Sequence, residues 1–307
     1  MKRHLALAIS LAIILIAQSL QAGEIEDRVD SLFMLASTPE QHYQHLVDPS
    51  REALAEMGET AVPRLVEKLN TDDARERHAL DNIFKRIGSP ATPYLVKALN
   101  TDDIVVLRNT ARCLGEVRDK SAGPALVELF THEDKSIRST AATSVGKCVD
   151  SSAVEPLIAL LDDDVESVRK SAAVALGRIA DSKAVQSLIQ SLSDNHFSVR
   201  MTAAAALVKI GKPAAEQLLA VYDDLDTIPK CLSFEVWSKL EFKPARNLVI
   251  NETKSTDRYM RGFAIVALAD IDPKKARKRI KEMQGRETDL FVMSMLEKVT
   301  EAVNSGK

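Results

Sequence analysis

Aromatic residues are scarce in this chain of 307 residues: they make up 4% of it, with a single tryptophan, Trp237. That removes the stacking platforms on which single-stranded nucleic acids are usually held. An excess of positive charge is missing as well, since 41 basic residues face 44 acidic ones. A general nucleic-acid binder needs surplus cations to displace counterions, so no nucleic-acid partner is expected. There is no Gly-rich phosphate cradle, no nucleophile elbow and no zinc ligand set. No apolar run beyond residue 22 approaches the length of a membrane span. Cysteine is limited to Cys113, Cys148 and Cys231, an odd count. All three fall inside helical patterns, which reads as buried apolar thiols.

The one long apolar run lies at the start. Lys2, Arg3 and His4 precede Leu5 to Ala17, and Leu20-Gln21-Ala22 ends in small-residue cleavage style before Gly23. This is the layout of a secretory signal peptide, 1–22, cleaved after Ala22. It places the protein in the periplasm or outside the cell. The alternative is an uncleaved N-terminal anchor. No cysteine follows the run, so no lipoprotein anchor is expected. Cleavage removes Lys2 and Arg3 from the 41 cations, leaving 39 against 44 acids and a net charge of −5.

What the chain does contain is repetition. Alanines opening one pattern fall at Ala61, Ala91, Ala122, Ala153, Ala184, Ala214, Ala245 and Ala276, spaced 30 or 31 apart. A period of that size is the mark of a stacked-repeat architecture. In the best copy, AVEPLIALLDDDVESVRKSAAVALGRIADSK from Ala153 to Lys183, Leu157, Ile158 and Leu161 share one face of a short helix. Asp162 to Asp164 break it, and Val168, Ala172, Leu176 and Ile179 form the stripe of a second helix. Neither helix can bury its stripe alone, so each unit must lean on the next.

With each leading alanine as position zero, position 4 reads Leu65, Leu95, Leu126, Leu157, Leu188 and Leu218. Position 23 runs from Phe84 through Leu176 to Leu268, and position 26 from Ile87 to Ile271. Both predict a continuous core. Position 24 carries Gly115, Gly146 and Gly177, each about 1 kcal/mol unfavourable in a helix, which predicts the closest helix contact there. Pro63, Pro93 and Pro124 fall early in the first helices, where a missing N–H does no harm. Position 16 carries Arg77, Arg138, Arg169, Arg200 and Arg261, with Lys230 in one copy and Arg108 displaced by one residue. The loop before it is acidic in every copy, suited to helix capping. The arginines are expected to form a structural ladder onto those loops, not a ligand site.

These units resemble HEAT repeats, in the short, regular form of phycobilin-lyase-type HEAT-like proteins. The signature here is AVEPLIALLDDD-VESVRKSAAVALGRIAD, repeated as AVQSLIQSLSDNHFSVRMTAAAALVKIG. It covers Ala61 to Lys212 well and the remainder loosely. The resemblance implies an all-α, right-handed solenoid of about eight helical hairpins with an armadillo-like stack. Its parts are the signal peptide 1–22, an N-terminal cap 23–60, regular repeats 61–213, and divergent repeats with a C-terminal cap 214–307. In the cap, Ile25, Val29, Leu32, Phe33 and Leu35 predict one helix, and Asp48-Pro49-Ser50 the start of another.

Fold does not fix function, so chemistry has to be sought residue by residue. The His-Glu pairs that hold two irons in deoxyhypusine-hydroxylase-type HEAT proteins have one counterpart, His132-Glu133, in a loop. A bilin-attachment role conflicts with the export signal, and a glycosylase-like groove conflicts with the charge. His42 and His45 have metal-sharing spacing without a third ligand, and read as a solvated helix face. Carboxylates recur once per unit, as fold residues do. We therefore expect no catalytic residues, no metal and no cofactor; an unrecognised enzyme or metal protein using His42, His45, His132 or the acidic loops is the alternative.

Two departures stand in the C-terminal half. Tyr222, Phe234, Trp237 and Phe242 cluster where other copies are smaller, as either an interface hot spot or filler between units. Lys274, Lys275, Arg277, Lys278, Arg279 and Lys281 crowd one helix, as a terminal cap with a solvated face. Finally, position 25 reads Arg86, Glu116, Lys147, Arg178, Lys209, Lys239 and Asp270, five cations in seven. Stacking would align them opposite the acidic loops, beside a floor of Thr143, Val174 and Ala205 at position 21. Helix-dipole capping explains such a row without a partner. As a binding surface it fits a protein or peptide, on a scaffold or accessory maturation factor that is monomeric and has no membrane span after cleavage.

Overall fold

The computed structural model describes residues 22–304, so the signal segment, all but its last residue Ala22, lies outside the described residues. The chain divides into two compact units, Met1–Pro156 and Leu157–Lys307. In the first, α1 (Ala22–Ser37) and α2 (Gln44–Glu56) precede three helix pairs. These are α3 (Val62–Glu67) with α4 (Ala74–Ile87), α5 (Thr92–Ala98) with α6 (Ile104–Val117), and α7 (Gly123–Glu128) with α8 (Lys135–Cys148). Helix α9 (Val154–Ala159) spans the boundary. The second unit continues with α10 (Glu166–Ile179), α11 (Val185–Ser191), α12 (Phe197–Ile210), α13 (Lys212–Val221) and α14 (Thr227–Lys239). It ends with α15 (Arg246–Glu252), α16 (Arg258–Ile271), α17 (Pro273–Gln284) and α18 (Leu290–Asn304). The described residues thus hold eight hairpins after the opening pair and no strand. The architecture is an α-solenoid of stacked helical hairpins.

Each hairpin is built by the same local rules. The leading alanine closes a tight turn into the first helix, and all eight alanines have 0% exposure. A larger side chain in that turn would push the neighbouring hairpin away. Pro63, Pro93 and Pro124 occupy the first or second helical position. Asp73, Asp103, Asp134 and Asp257 accept hydrogen bonds from free N–H groups of the second helices, fixing where each begins. Six of the second helices end at a residue of positive φ, at Gly88 and Gly211 but also at Arg118, Val149, Ala180 and Glu241, whereas α16 ends on Asp272 at φ −150°. Nothing in the repeat pattern signals this, because four of the six positions lack the glycine that usually marks such a cap.

The core follows positions 4 and 23: Leu65, Leu95, Leu126, Leu157, Leu188 and Leu218 are fully buried, as is every member from Phe84 to Leu268. Position 26 departs from expectation. Cys148 and Ile271 are buried, whereas Ile87, Val117, Ile179, Ile210 and Leu240 are half-buried. It falls in the last turn, where the chain leaves the stack. Position 19, from Leu80 through Ala172 to Ala264, is a further fully buried column. The glycines mark close approaches: a Cβ on Gly115 would lie 2.7 Å from the Ser144 Cβ, and one on Gly177 2.9 Å from Ala206 Cα.

In the cap, Val29, Leu32 and Phe33 are buried while Ile25 and Leu35 are half-buried. Its second helix starts at Gln44, not at Asp48, and carries Pro49 inside. A 3-10 turn over Gln41–Tyr43 leads directly into it, so the chain is already helical when it reaches the proline.

Candidate binding face of the second helices

The position-16 arginines turn back onto their loops. Arg138 donates to the carbonyls of His132 and Glu133 at 2.9 and 3.0 Å, and Arg200 to those of Asp194 and Asn195 at 2.8 and 3.1 Å. Arg77 donates to Asp72 O, Arg261 to Ser255 O and Thr256 O, and Lys230 to Asp223 O. The displaced Arg108 reaches the Asp72 carboxylate of the preceding hairpin at 3.0 Å. Arg169 does both: it bonds Asp163 O at 2.8 Å and grips Asp194 of the next hairpin at 2.7 and 3.1 Å. Burial alone would raise the Asp194 carboxyl, but the Arg169 bond and the His196 N–H outweigh it and hold it below the usual range.

The loop acids also accept backbone N–H groups, Asp257 as a helix cap and Asp163 and Asp194 from the residue that precedes the helix. Asp163 accepts from Val165 N, Asp194 from His196 N, and Asp257 from Tyr259 N and Met260 N. His132 joins this machinery, its Nδ1 accepting from Asp134 N at 3.0 Å. His42 and His45 are exposed, and no group of three or more metal-ligating side chains occurs among the described residues.

Position 25 divides between the units. In the first, Arg86 is exposed, but Lys147 is half-buried and bound to Glu116 at 2.5 Å, so the row is neutralised there. Thr143 is half-buried beside it on α8. In the second, Arg178, Lys209 and Lys239 are all exposed. Val174, Arg178, Ala205 and Lys209 line one groove of about 480 Å³ between α10 and α12, floored by Ala173, Gly177 and Ala206. The small floor exists because Gly177 lets α12 approach so closely. Lys239 lies on α14 outside this groove.

A second feature escaped the reading of columns for core. Phe197 is 67% exposed, Ile228 53%, Tyr259 44% and Phe263 38%, on α12, α14 and α16. With Met201, Cys231 and Leu232 they wall an apolar cleft of about 550 Å³. Arg200 lies 5.8 Å over the Phe197 ring and Arg258 4.8 Å over that of Tyr259, steadying both aromatics. The signal was in the repeat register: positions 14 and 18 read Ser167 and Ser171 in α10 but Ile228 and Leu232 in α14. An apolar residue replacing a solvated serine is a surface change, and only outward-facing columns display it.

The inward aromatics have the other role. Tyr222, Phe234 and Trp237 are at most 2% exposed with ring centroids 5.5 to 6.1 Å apart, Phe242 is 7% exposed, and the indole N–H donates to Ala215 O at 3.1 Å. They pack inward against one another, with Trp237 tied to α13 of its own hairpin. Burial, and then the nearby Glu252 carboxylate, raise the Tyr222 phenol. Cys113 and Cys148 are buried, whereas Cys231 is half-buried on the apolar cleft, and burial pushes its thiol up to about 11. On α17, Lys274, Lys275, Lys278 and Lys281 face solvent, while Arg277 donates to Val303 O and Arg279 to Thr253. Among the described residues no helix is long and apolar enough to cross a membrane.

Comparison with known proteins agrees with this architecture. Residues 92–176 and 154–228 match the family model for HEAT repeats. YibA of Escherichia coli, 16% identical, superposes with a TM-score of 0.51 over 86% of this chain and 98% of its own. Kap121p, 13% identical, gives 0.50 over 90% of this chain, which spans 33% of that protein. The CpcE–CpcF complex of phycocyanin lyase from Nostoc sp. PCC7120 is 20% identical over 78% of this chain and 94% of that one, with a TM-score of 0.42. Likeness at these identities concerns the fold, and the last carries no argument about activity. No curated protein matches the sequence.

Proposed function

We propose that the protein is an exported, non-catalytic scaffold that binds a protein or peptide segment on its second helices, as an accessory or maturation factor in the cell envelope. The observation that carries this reading is the convergence of Val174, Arg178, Ala205 and Lys209 on one groove. A floor of small residues admits a backbone closely, and two exposed cations attract and orient an acidic edge. The solenoid supports it, since stacked repeats present extended surfaces and HEAT solenoids commonly bind proteins. Asp163, Asp194, Asp257 and His132 support it too, because acceptors already committed to backbone N–H groups are not poised for chemistry.

The test is affinity capture from an envelope fraction, followed by association kinetics with the captured partner across ionic strength. Reversing Arg178 and Lys209 to Glu should slow association at low salt, where screening is weakest, and flatten the salt dependence. An unchanged low-salt rate sinks the groove, and a stoichiometric, tightly held transition metal in purified protein sinks the non-catalytic reading. Export predicts a mature chain beginning at Gly23; a chain retaining Met1 in the membrane fraction indicates the anchor instead.

A further inference from the structure

The cationic groove and the apolar cleft share helix α12. Phe197, Met201, Ala205 and Lys209 follow one another at four-residue spacing, so they descend one side of that helix from apolar to small to cationic. On α14 the sequence Ile228, Leu232, Glu235, Lys239 repeats the gradient with one change. That change is Glu235, exposed on the rim of the cleft and without an ion pair among the described residues. The cleft has the size of a site for two large apolar side chains. Aromatic and aliphatic groups this exposed mark an interaction surface more often than chance exposure does.

Resting on the scaffold reading above, we infer that this face takes one segment of a partner protein that is acidic at one end and apolar at the other. Carboxylates sit over Arg178 and Lys209, and two large apolar side chains enter the cleft of α12, α14 and α16. Charge chooses this occupant. The groove between α10 and α12 holds cations and no acid. Glu235 repels a carboxylate placed over α14, which fixes the segment's direction as well as its composition. Spacing follows from the helix: Met201 to Lys209 is eight residues, a rise of about 12 Å. An extended peptide covers that distance in roughly four residues. The segment therefore carries its acids about four residues from its apolar pair.

The test uses the full chain and three fluorescent peptides of roughly twelve residues. The first has a run of glutamates, a spacer of about four glycine and serine residues, and a Leu-Phe pair. The second replaces its glutamates by lysine, and the third its Leu-Phe pair by serine. Anisotropy should show the first binding about tenfold or more tighter than either control, a difference worth one decade in Kd. Lys209→Glu, on an exposed side chain that leaves the melt unchanged, should remove the preference for the glutamate peptide, and Arg178→Glu with Lys209→Glu should reverse it toward the lysine peptide. The first peptide should also slow alkylation of Cys231, the half-buried thiol on the cleft, with Cys113 and Cys148 as buried references. Equal binding of the glutamate and lysine peptides, no binding of the first, or unprotected Cys231 overturns the inference. A captured partner that cross-links elsewhere and leaves Cys231 open overturns it while the scaffold reading stands.

Discussion

Replacing Gly177 by alanine sets two effects of known size against each other. Alanine is favoured over glycine in a helix interior by about 1 kcal/mol, so propensity alone predicts a more stable protein. The packing predicts the opposite. The new Cβ would lie 2.9 Å from both the Cα and the Cβ of Ala206, where carbons ordinarily sit about 3.5–4.0 Å apart. Ala206 Cα is backbone, so no side-chain rotation relieves the clash and α12 must move off α10 by about 0.6–1 Å. A gap of that size forfeits a quarter to a half of each contact it opens, and Ala173, Leu176, Ala203 and Leu207 are all buried. Overpacking of this kind costs about 1–3 kcal/mol, and the rigid neighbour places it in the upper half. The net loss is about 1–2 kcal/mol, or roughly 2–4 °C in a chain of this size.

Thermal and urea unfolding of the variant measure it. Gly285→Ala is the matched control, because nothing lies within 4 Å of a Cβ there and its φ is an ordinary −81°. It should be neutral or slightly stabilising. Ala206→Gly should recover part of the loss in a double-mutant cycle, since it removes one of the two clashing atoms. A Gly177→Ala protein that melts at or above wild type refutes the reasoning, and with it the reading of position 24 as a close contact.

Other substitutions separate structure from function along the same helices. Leu176→Asp places a charge at a site of 0% exposure and should cost more than about 4 kcal/mol, with a wild-type melt refuting the register of position 23. Arg169→Ala strips a guanidinium from a pair only 12% and 11% exposed, and should cost about 1–3 kcal/mol while leaving peptide binding intact. The same pair gives a pH signature: Asp194 titrates below its unfolded value, so its contribution is complete above about pH 4 and is lost as pH falls through the lower folded value. Arg169→Ala should therefore flatten the acid limb of the stability curve. Val149 is a β-branched residue held at φ 53°, and Val149→Gly should raise stability by about 1 kcal/mol in chemical denaturation.

How much of this was legible depended on whether a feature recurs. Eight alanines, six leucines and five arginines each repeat at fixed spacing, and a role that recurs in every hairpin can be read without coordinates. The left-handed caps recur too, yet Arg118, Val149, Ala180 and Glu241 share no chemistry, so the backbone geometry they share leaves no trace in composition. Lys147 and Glu116 show the limit from the other side. Both belong to one surface column, and their pairing depends on how α6 and α8 meet. Position 26 was misjudged because helical periodicity predicts which face is inward but not how far the stack extends toward the helix end.

The larger surprise is the character of the binding face. Aligned acids and cations at opposite helix ends suggest a groove with two charged rims. In the second unit part of the acidic rim is committed locally, because Asp163, Asp194 and Asp257 accept from backbone N–H groups, and Asp194 is gripped by Arg169. What the N-terminal halves of α12, α14 and α16 present outward is apolar surface, at Phe197, Ile228, Tyr259 and Phe263. The face is thus amphipathic, and the two kinds of attraction respond differently to salt. Screening at 1 M salt shortens the Debye length to about 3 Å and removes the cationic contribution, whereas apolar burial is untouched or strengthened. A partner held by this face should therefore associate more slowly as salt rises yet retain a salt-resistant residue of affinity. Removing the apolar surface with Ile228→Ser and Phe263→Ser should abolish that residue and leave the salt-sensitive part. A partner released completely by salt from the unaltered protein is held by charge alone, and its site lies outside the cleft.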